Sequence, residues 1–327
     1  MSSITIYIFF ERKTIVVDLL KNPRKMYNSS MKRFRKIAII DTIKITGEAK
    51  KAIQDYSNEP VIYPEFDAKD ETETYKRIGS ADAILGNWQS TIDASILKHT
   101  PNLKYIGICG TSLANIDLEA VKKQNIVLKN VTDYGDEGVA EYIFAQLLNL
   151  FRGFGKYKWR DETSELNSKT IGIVGLGATG QQVARVALGF KMKVLYYSKS
   201  RKIEWEEKGV QYSPINDLFK KSDIVSLHVP KNTKIIGKVE LEKIGNGKVI
   251  TDTCLGNIYK DLIAVRSWLG KKNNFLIRDY QPEIKEKLGD LERFIYTDNV
   301  IAGLTAEARE RLSIKVVDNI KTYLNEN

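Results

Sequence analysis

A glycine-rich turn between a buried strand and a helix constrains this chain more than any other feature. Residues 169–180 read KTIGIVGLGATG, an apolar strand that ends in Gly175, Gly177 and Gly180, and a helical segment follows at once. The first glycine permits the tight bend, the second lets a diphosphate approach the backbone, and the third lets helix and strand pack closely. The helix N-terminus then offers free N–H groups to the phosphates. The spacing predicts a dinucleotide-binding turn, and the alternative is a glycine-rich turn without a ligand.

The composition is that of a globular protein with two domains. A chain of 327 residues exceeds one domain of about 150 residues, and 43% apolar with 28% charged residues is ordinary for such proteins. Only two cysteines occur, Cys109 and Cys254, so we expect no disulfide framework and a reducing, cytoplasmic location. No apolar run reaches the roughly 18 residues of a membrane-spanning helix, so no membrane partner is expected.

The net charge of +10 is concentrated at the N-terminus. Residues 1–36 hold nine basic and two acidic residues, whereas the remaining chain holds 42 basic and 39 acidic ones, a net +3. The body is therefore nearly neutral and does not point to nucleic acid as a partner. We expect residues 1–35 to be a basic N-terminal tail that is dispensable for the fold. An upstream start is part of the same expectation, and the alternative is a basic contact arm for nucleic acid or a membrane.

From residue 36 to 131, short apolar runs alternate with segments of helical spacing. Strands are predicted at 36–43, 60–63, 81–85, 103–109 and 126–131. Apolar runs of this length, separated by helices, indicate parallel strands that are buried on both faces. A long helix at 137–152 then links this lobe to a second one.

The same alternation restarts at the glycine-rich turn and continues to Asp279. A final helix at 305–324 carries Leu312, Val316 and Ile320 on one face, and we expect that face to dock on the first lobe. The pattern predicts an α/β protein with two Rossmann-like lobes of parallel sheet, the first completed by the C-terminal helix. The cleft between two such lobes is the expected ligand site.

Several segments resemble the D-isomer-specific 2-hydroxyacid dehydrogenase family, which includes glyoxylate and hydroxypyruvate reductases. Residues 103–117 (LKYIGICGTSLANID) resemble the strand and loop that hold the substrate carboxylate, and residues 226–230 (SLHVP) are similar to the strand end beside the cofactor. Residues 252–256 (DTCLG) stand where the family usually reads Asn-Thr-Ala-Arg-Gly, and residues 301–307 (IAGLTAE) match the start of the last helix. The resemblance covers residues 36–327.

This resemblance implies a domain division and a set of ligand-binding residues. Residues 36–132 plus 304–327 would form a flavodoxin-like substrate domain, and residues 133–303 an NAD(P)-binding Rossmann domain. It also implies a homodimer built largely around the second lobe. The substrate loops would include Cys109, Gly110, Thr111 and Leu255. The cofactor site would include Gly175, Gly177, Ala178, Thr179, Gly180, Ser198, Lys199, Ser200, Arg201, His228, Val229, Pro230, Thr233, Thr253, Cys254 and Asp279.

The chain departs from the family at the catalytic positions. The family uses an arginine to hold the substrate carboxylate, a histidine to move the hydroxyl proton and a glutamate to orient that histidine. The corresponding positions here are Leu255, Val300 and Ile284. The catalytic residues are therefore predicted to be atypical and their identity is open. No metal site is expected.

Two carboxylates, Glu283 and Asp298, are candidate proton donors if burial raises their pKa. The alternative for each is a solvated loop acid. His228 is interpreted as a strand-end histidine that packs or bonds to the backbone. Asp252 is expected at a strand end that faces the cleft, and the two cysteines are interpreted as buried packing residues.

The end of the second strand after the turn bears on the choice of cofactor. An NAD site usually carries an acid there that binds the ribose hydroxyls. Here the position is Ser198, followed by Lys199, Ser200, Arg201 and Lys202. Hydroxyls and cations without an acid suit a 2′-phosphate, so NADP(H) is predicted to be preferred, with NAD(H) as the alternative. The interpretation that needs no ligand is a basic, solvated loop.

Together these features predict an NAD(P)-dependent oxidoreductase that acts on a hydroxyl or carbonyl group of a small-molecule substrate. One alternative is a catalytically weak or inactive NADP(H)-binding pseudoenzyme that acts as a sensor or binds a partner protein. Another is a protein that docks on nucleic acid through its basic tail. Turnover separates the first two, and steeply salt-dependent binding that is lost with residues 1–35 would identify the third.

Overall fold

The computed structural model describes residues 5–10, 13–18 and 32–327, so most of the predicted basic tail, residues 1–35, lies outside the described residues. The strands are β1 Thr5–Phe10, β2 Lys13–Asp18, β3 Ile37–Ile39, β4 Ala83–Asn87, β5 Tyr105–Cys109, β6 Val127–Asn130, β7 Thr170–Val174, β8 Lys193–Tyr197, β9 Gln211–Tyr212, β10 Ile224–Leu227, β11 Val249–Asp252, β12 Phe275–Arg278 and β13 Phe294–Tyr296. The helices are α1 Gly47–Asp55, α2 Glu71–Ile78, α3 Ala94–Lys98, α4 Leu118–Lys123, α5 Asp136–Arg152, α6 Ala178–Gly189, α7 Ile203–Glu206, α8 Ile215–Lys221, α9 Lys238–Ile244, α10 Leu262–Leu269, α11 Pro282–Leu288 and α12 Ala306–Glu326. β1 and β2 pair with each other in antiparallel register.

Seven parallel strands form the larger sheet, in the order β13-β12-β11-β10-β7-β8-β9. The chain runs from β7 to β8 and β9 on one side, and then returns to place β10 on the other side of β7. At such a reversal the two connecting segments leave in opposite directions and open a crevice at the carboxyl ends of the strands, where ligands bind. The ends of β7 and β10 therefore position the site.

Helices cover both faces of this sheet, as strands of continuous apolar residues require. One face packs on α5 and α6, where Leu147 and Val183 are fully buried. The opposite face packs on α8, α9 and α10 through Leu218, Leu241 and Trp268. This double cover confirms the predicted α/β class.

Four parallel strands form the smaller sheet, in the order β3-β4-β5-β6. The last helix, α12, buries Leu312, Val316 and Ile320 in the core that these strands share. The chain thus returns to its first lobe at its end, which confirms the predicted docking of the C-terminal helix.

Side-chain caps fix the starts of the first-lobe helices. Thr46, Asp70, Asp93 and Asp117 each accept a hydrogen bond from a backbone N–H in the first turn of α1, α2, α3 and α4 respectively. A cap of this kind stabilises a helix by about 1 kcal/mol. Helix α6 differs, since its N-cap is Gly177 and offers no side-chain acceptor. The first-turn N–H groups of α6 are therefore left for another partner.

Two expectations about the first lobe need correction. Residues 60–63 form no strand, and Ile62 is 78% exposed. An apolar run becomes a strand only when a neighbouring edge pairs with its backbone, and Pro60 has no N–H to donate. In addition, Phe34 is buried and stacks on Tyr323 with 5.2 Å between the ring centroids. The packed core therefore uses a residue of the segment that we expected to be dispensable.

Replacing the buried ring in Phe34→Ala should destabilise the first lobe. Phe34 contacts both Tyr105 and Tyr323, and removal of a buried phenylalanine side chain costs about 3–5 kcal/mol. Urea unfolding followed by circular dichroism measures this loss. Phe154→Ala is the matched control: Phe154 is 76% exposed, and its loss should change the free energy of unfolding by less than about 0.5 kcal/mol. Equal effects of the two substitutions would contradict the role given to Phe34.

Candidate functional site

Three glycines shape the crevice at the end of β7. A Cβ added at Gly175, where φ is +97°, would lie 2.0 Å from the backbone oxygen of His228. A Cβ at Gly180 would lie 2.1 Å from the backbone oxygen of Gly175, whereas one at Gly177 would meet no atom within 4 Å. The first and third glycines are therefore required by packing. The second leaves open space at the start of α6.

This arrangement fits the diphosphate of a dinucleotide. The open space at Gly177 adjoins the first turn of α6, a helix of 12 residues whose N-cap has no side-chain hydrogen bond. Backbone N–H groups and the helix dipole there favour an anion. The predicted residues Ala178, Thr179 and Gly180 form the first turn of this helix.

Asp136 lies against the same helix turn, and sequence reasoning missed it. The Thr179 hydroxyl donates a hydrogen bond to Asp136 at the start of the linker helix α5. Burial raises the pKa of Asp136 above its ordinary value. The only sign of this role in the sequence was the position of Asp136 at the start of the linker helix. Asp136 ties the linker helix to the glycine-rich turn.

The predicted 2′-phosphate residues gather at the end of β8, but they are not equally available. The Ser198 hydroxyl accepts a hydrogen bond from the Leu176 N–H at 2.6 Å, while Lys199 and Ser200 are exposed. The Arg201 guanidinium pairs with Glu206 of α7, with Nε 2.7 Å from Oε1.

Glu206 corrects the expectation of a site without an acid. Hydrogen bonds from Arg201 and then from the Tyr196 hydroxyl lower the pKa of Glu206 to about 2, so it is charged at neutral pH. An acid five residues after Arg201 was the signal in the sequence. The pair occupies Nε and Nη2 of Arg201 and leaves Nη1 as the donor available to a phosphate.

The end of β10 supports a structural interpretation of its histidine. Nε2 of His228 lies 2.8 Å from the Ser226 hydroxyl, and burial lowers the pKa of His228 to about 4. The imidazole is therefore neutral at pH 7. Val229 donates its N–H to Cys254 Sγ at 3.3 Å, which joins this strand end to the loop after β11. His228, Val229 and Cys254 thus lie together, beside Gly175.

A buried ion pair lies behind the loop after β11. Asp252 and Arg278 end adjacent strands, are paired in register, and have side chains that are 0% and 1% exposed. Asp252 also accepts hydrogen bonds from the Tyr259 hydroxyl at 2.8 Å and from the Cys254 N–H at 2.9 Å. The expectation that Asp252 faces the cleft is therefore wrong, because its carboxylate is buried against Arg278 of the adjacent strand.

Arg278 fixes the loop that carries Leu255. Its Nη2 donates to the backbone oxygens of Gly256 at 2.6 Å and Cys254 at 3.2 Å. Burial lowers its pKa to about 10, which leaves it charged at neutral pH. Sequence reasoning missed Arg278, although a cation at the end of a buried strand beside a strand ending in Asp was a usable signal.

Asp279 holds the chain segment that leads to α12. Its carboxylate accepts hydrogen bonds from the Thr297 hydroxyl at 2.9 Å, the Ile301 N–H at 3.1 Å and the Ala302 N–H at 3.2 Å. Its predicted contact with the nicotinamide amide stays a prediction. The predicted Pro230, Thr233 and Thr253 lie in the loops after β10 and β11.

The three residues that we expected at the family's catalytic positions have apolar side chains. Ile284 is fully buried in the core, Val300 is half-buried, and Leu255 is 37% exposed. The two candidate proton donors were expected to be buried, but neither is. Glu283 is exposed, and Asp298 is 80% exposed and forms an ion pair with Lys285.

The predicted substrate loop after β5 packs on a tryptophan that sequence reasoning missed. A Cβ at Gly110 would lie 2.9 Å from Cβ of Trp88, and the Thr111 hydroxyl donates to the Val131 oxygen at 3.1 Å. Cys109 is buried, which raises its pKa to about 12 and keeps the thiol neutral. Across the cleft, Nζ of Lys231 lies 5.7 Å from the centroid of the Trp88 ring. These contacts bring the two lobes together at the expected substrate position.

Neither a metal centre nor a membrane span is found in the part of the chain that the structure describes. Among residues 5–10, 13–18 and 32–327, no three His, Cys, Asp or Glu side chains are grouped so that they could hold a metal ion. No helix within those ranges is long and apolar enough to cross a bilayer.

Two glycine substitutions should separate folding from cofactor binding. Gly177→Ala places its methyl group in open space, so we expect an unchanged melting temperature but a loss of at least about tenfold in nicotinamide dinucleotide affinity, because the methyl group blocks the diphosphate. Gly180→Ala should unfold or strongly destabilise the chain, because its methyl group meets a backbone oxygen. Differential scanning fluorimetry and isothermal titration calorimetry measure the two effects. Unchanged dinucleotide affinity in Gly177→Ala would contradict the assignment of the turn.

Comparison with known proteins agrees with this geometry. The family model described as D-isomer specific 2-hydroxyacid dehydrogenase, NAD binding domain, matches residues 146–266. Hydroxypyruvate reductase of Thermotoga maritima is 29% identical over 290 residues, which cover 83% of this chain and 94% of that protein.

Two solved structures extend the likeness over both lobes. An acyclic imino acid reductase in complex with NADPH and D-Arg aligns with a TM-score of 0.77 at 29% identity, over 89% of this chain and 97% of that one. The 3-phosphoglycerate dehydrogenase of Entamoeba histolytica with bound NAD⁺ aligns with a TM-score of 0.75 at 26% identity, over 91% and 96%. These relatives are named as enzymes, which gives no support to the pseudoenzyme alternative. Residues 146–266 thus match the NAD-binding domain of the D-isomer-specific 2-hydroxyacid dehydrogenase family, and the chain is similar to enzymes of this kind over both lobes.

Proposed function

We propose that this chain is an NAD(P)-dependent oxidoreductase that transfers hydride between a nicotinamide cofactor and a hydroxyl or carbonyl group of a small molecule. The observation that carries the proposal is the open space at Gly177 beside the uncapped start of α6. In this proposal residues 133–303 bind the cofactor, and residues 36–132 plus 304–327 bind the substrate. A homodimer and a cytoplasmic location, expected from the family resemblance and the cysteine content, are part of the same proposal.

The side chains of the cleft would bind and orient the reactants. A bound nicotinamide cofactor supplies or accepts the hydride. The N–H groups at the start of α6 hold the diphosphate, and Arg278 fixes the loop of Leu255 from behind. The Asp279 carboxylate already accepts three hydrogen bonds, and its lone pairs leave room for one more donor such as the nicotinamide amide.

NADP(H) is the cofactor that we propose to be preferred, with NAD(H) as the alternative. Lys199 and Ser200 are exposed at the end of β8, and Arg201 lies two residues from Lys199. These groups suit a 2′-phosphate. The pairing of Arg201 with Glu206 weakens that contact, because the carboxylate already neutralises the arginine and occupies two of its three nitrogens.

Equilibrium binding tests this preference. NADPH should bind more tightly than NADH at equal salt concentration, as measured by calorimetry. Glu206→Gln should tighten NADPH binding a further two- to fivefold or so and leave NADH unchanged, because it releases Arg201 from an exposed ion pair. Glu204→Gln, also in α7 but outside the ion pairs of residues 32–327, is the matched control. Tighter binding of NADH, or an equal response of both cofactors to Glu206→Gln, would refute the assignment.

One observation favours a second substrate class, the protonated imine of a 2-oxo acid. Reduction of a carbonyl requires a proton for the oxygen, but Val300 and Ile284 stand where the family has its histidine and glutamate. His228 is neutral at pH 7 and bonds to Ser226. A protonated imine becomes a neutral amine on receiving hydride and needs no proton from the protein. The imino acid reductase among the structural relatives makes this class a concrete candidate.

Turnover distinguishes the proposals. NADPH absorbance is followed with glyoxylate or hydroxypyruvate alone, and then with methylamine added at a pH where the imine forms. Oxidation of NADPH by the oxo acids alone supports carbonyl reduction, whereas a large increase with the amine supports imine reduction. The Gly177→Ala variant is the negative control, because it should fold but not bind the cofactor. Tight cofactor binding with no turnover in either assay would contradict the enzymatic proposal.

A further inference from the structure

A lysine of the second lobe faces an aromatic ring of the first lobe across the cleft. Lys231 follows Pro230 in the loop after β10, and its Nζ lies 5.7 Å from the centroid of the Trp88 ring. The ring of Trp88 packs over Gly110 in the predicted substrate loop. The ammonium group therefore stands between the two lobes, on the substrate side of the cleft.

The stem of the same lysine lies on the loop where the family carries its arginine. A Cβ at Gly256 would lie 3.2 Å from Cγ of Lys231, and Leu255 is the neighbouring residue. The Leu255 backbone oxygen accepts a hydrogen bond from the N–H of Asn232, which follows Lys231. A positive charge is thus present beside Leu255, although residue 255 itself is apolar.

Lys231 has no anionic partner among the described residues. None of the ion pairs formed by residues 32–327 includes it. The face of an aromatic ring compensates an ammonium only in part, by about 0.5–1 kcal/mol at a partly exposed site. The three N–H donors of the ammonium are consequently available to an anion that enters the cleft.

We propose that Lys231, held against Trp88, binds the carboxylate of the substrate in place of the family's arginine. This inference rests on the proposed function, and it identifies the substrate as a small anionic 2-oxo or 2-imino acid. An ammonium is a compact charge on a flexible stem, whereas a guanidinium binds a carboxylate with two parallel hydrogen bonds. The ammonium group therefore holds the carboxylate mainly by its charge, and the Trp88 ring shields this contact from water.

Binding of an inert substrate analogue tests the proposal without turnover. Oxamate carries the carboxylate of a 2-oxo acid but is not reduced, and oxamide is its uncharged counterpart. Trp88 is half-buried, whereas Trp159, Trp205 and Trp268 are at most 4% exposed, so a change of tryptophan fluorescence on oxamate addition reports mainly on Trp88. Titrations are run with NADP⁺ at saturation, and Trp88→Phe verifies the origin of the signal.

The expected result is a charge-dependent loss. Lys231→Met should weaken oxamate binding by about 10- to 100-fold, the range for a hydrogen bond to a charged group. Lys231→Arg should retain most of the affinity, and oxamide should bind equally weakly to all variants. Lys234→Met, which removes an exposed lysine from the same loop, is the matched control and should bind oxamate like the unsubstituted protein.

The outcomes separate this inference from the proposed function. Failure of the unsubstituted protein to bind either nicotinamide cofactor would overturn the proposed function itself. Intact cofactor binding with oxamate affinity unchanged in Lys231→Met, or with no saturable oxamate response at all, would overturn only the role of Lys231. Equal losses in Lys231→Met and Lys234→Met would also overturn it, since the effect would then come from general charge.

Discussion

Contact of backbone with backbone at the ends of β7 and β10 is the constraint on which the site depends. Gly175 packs on the carbonyl of His228, and Gly180 packs on the carbonyl of Gly175. A side chain at either position would push α6 away from the sheet. Because these contacts are made without side chains, the start of α6 reaches the reversal point of the strand order with its N–H groups uncovered. In the proposed function, peptide N–H groups bind the anion there, and side chains further from the turn determine which molecule carries it.

The buried pair of Asp252 and Arg278 holds the loop after β11 in a fixed position relative to this turn. Burying two charges costs several kcal/mol, which is recovered only when the remaining donors and acceptors are satisfied. Here Tyr259 and the Cys254 N–H satisfy the carboxylate, and Nη2 of the guanidinium donates to the Cys254 and Gly256 oxygens, whereas its buried Nε has no hydrogen-bond partner among the described residues. Each of those bonds except that of Tyr259 ends on the loop of Leu255. The ion pair thus fixes the position of this loop relative to the sheet.

Local signals in the sequence predicted the parts of the fold that depend on local physics. The glycine spacing, the alternation of apolar runs with helices and the amphipathic face of α12 were sufficient for two parallel sheets and the docked last helix. Residues 60–63 failed as a strand because pairing depends on a distant edge. Arg278 with Asp252 and Lys231 with Trp88 were missed for the same reason, since each pair forms only after the strands are placed side by side. Glu206 was within reach of local reasoning, because it lies one helical turn beyond the basic loop.

The protonation states around the crevice bear on the chemistry that it can support. Burial lowers the pKa of His228 to about 4, so its imidazole is neutral at pH 7, and burial also holds the thiols of Cys109 and Cys254 neutral. The positions expected to move a proton, Val300 and Ile284, have no proton to give. In the proposed site, Lys231 and the N–H groups of α6 stabilise charge that the substrate brings, and the neutral His228 is not the proton donor. If the proposed roles hold, the arrangement favours substrates that arrive with both a carboxylate and a proton in place, and a protonated 2-imino acid carries both.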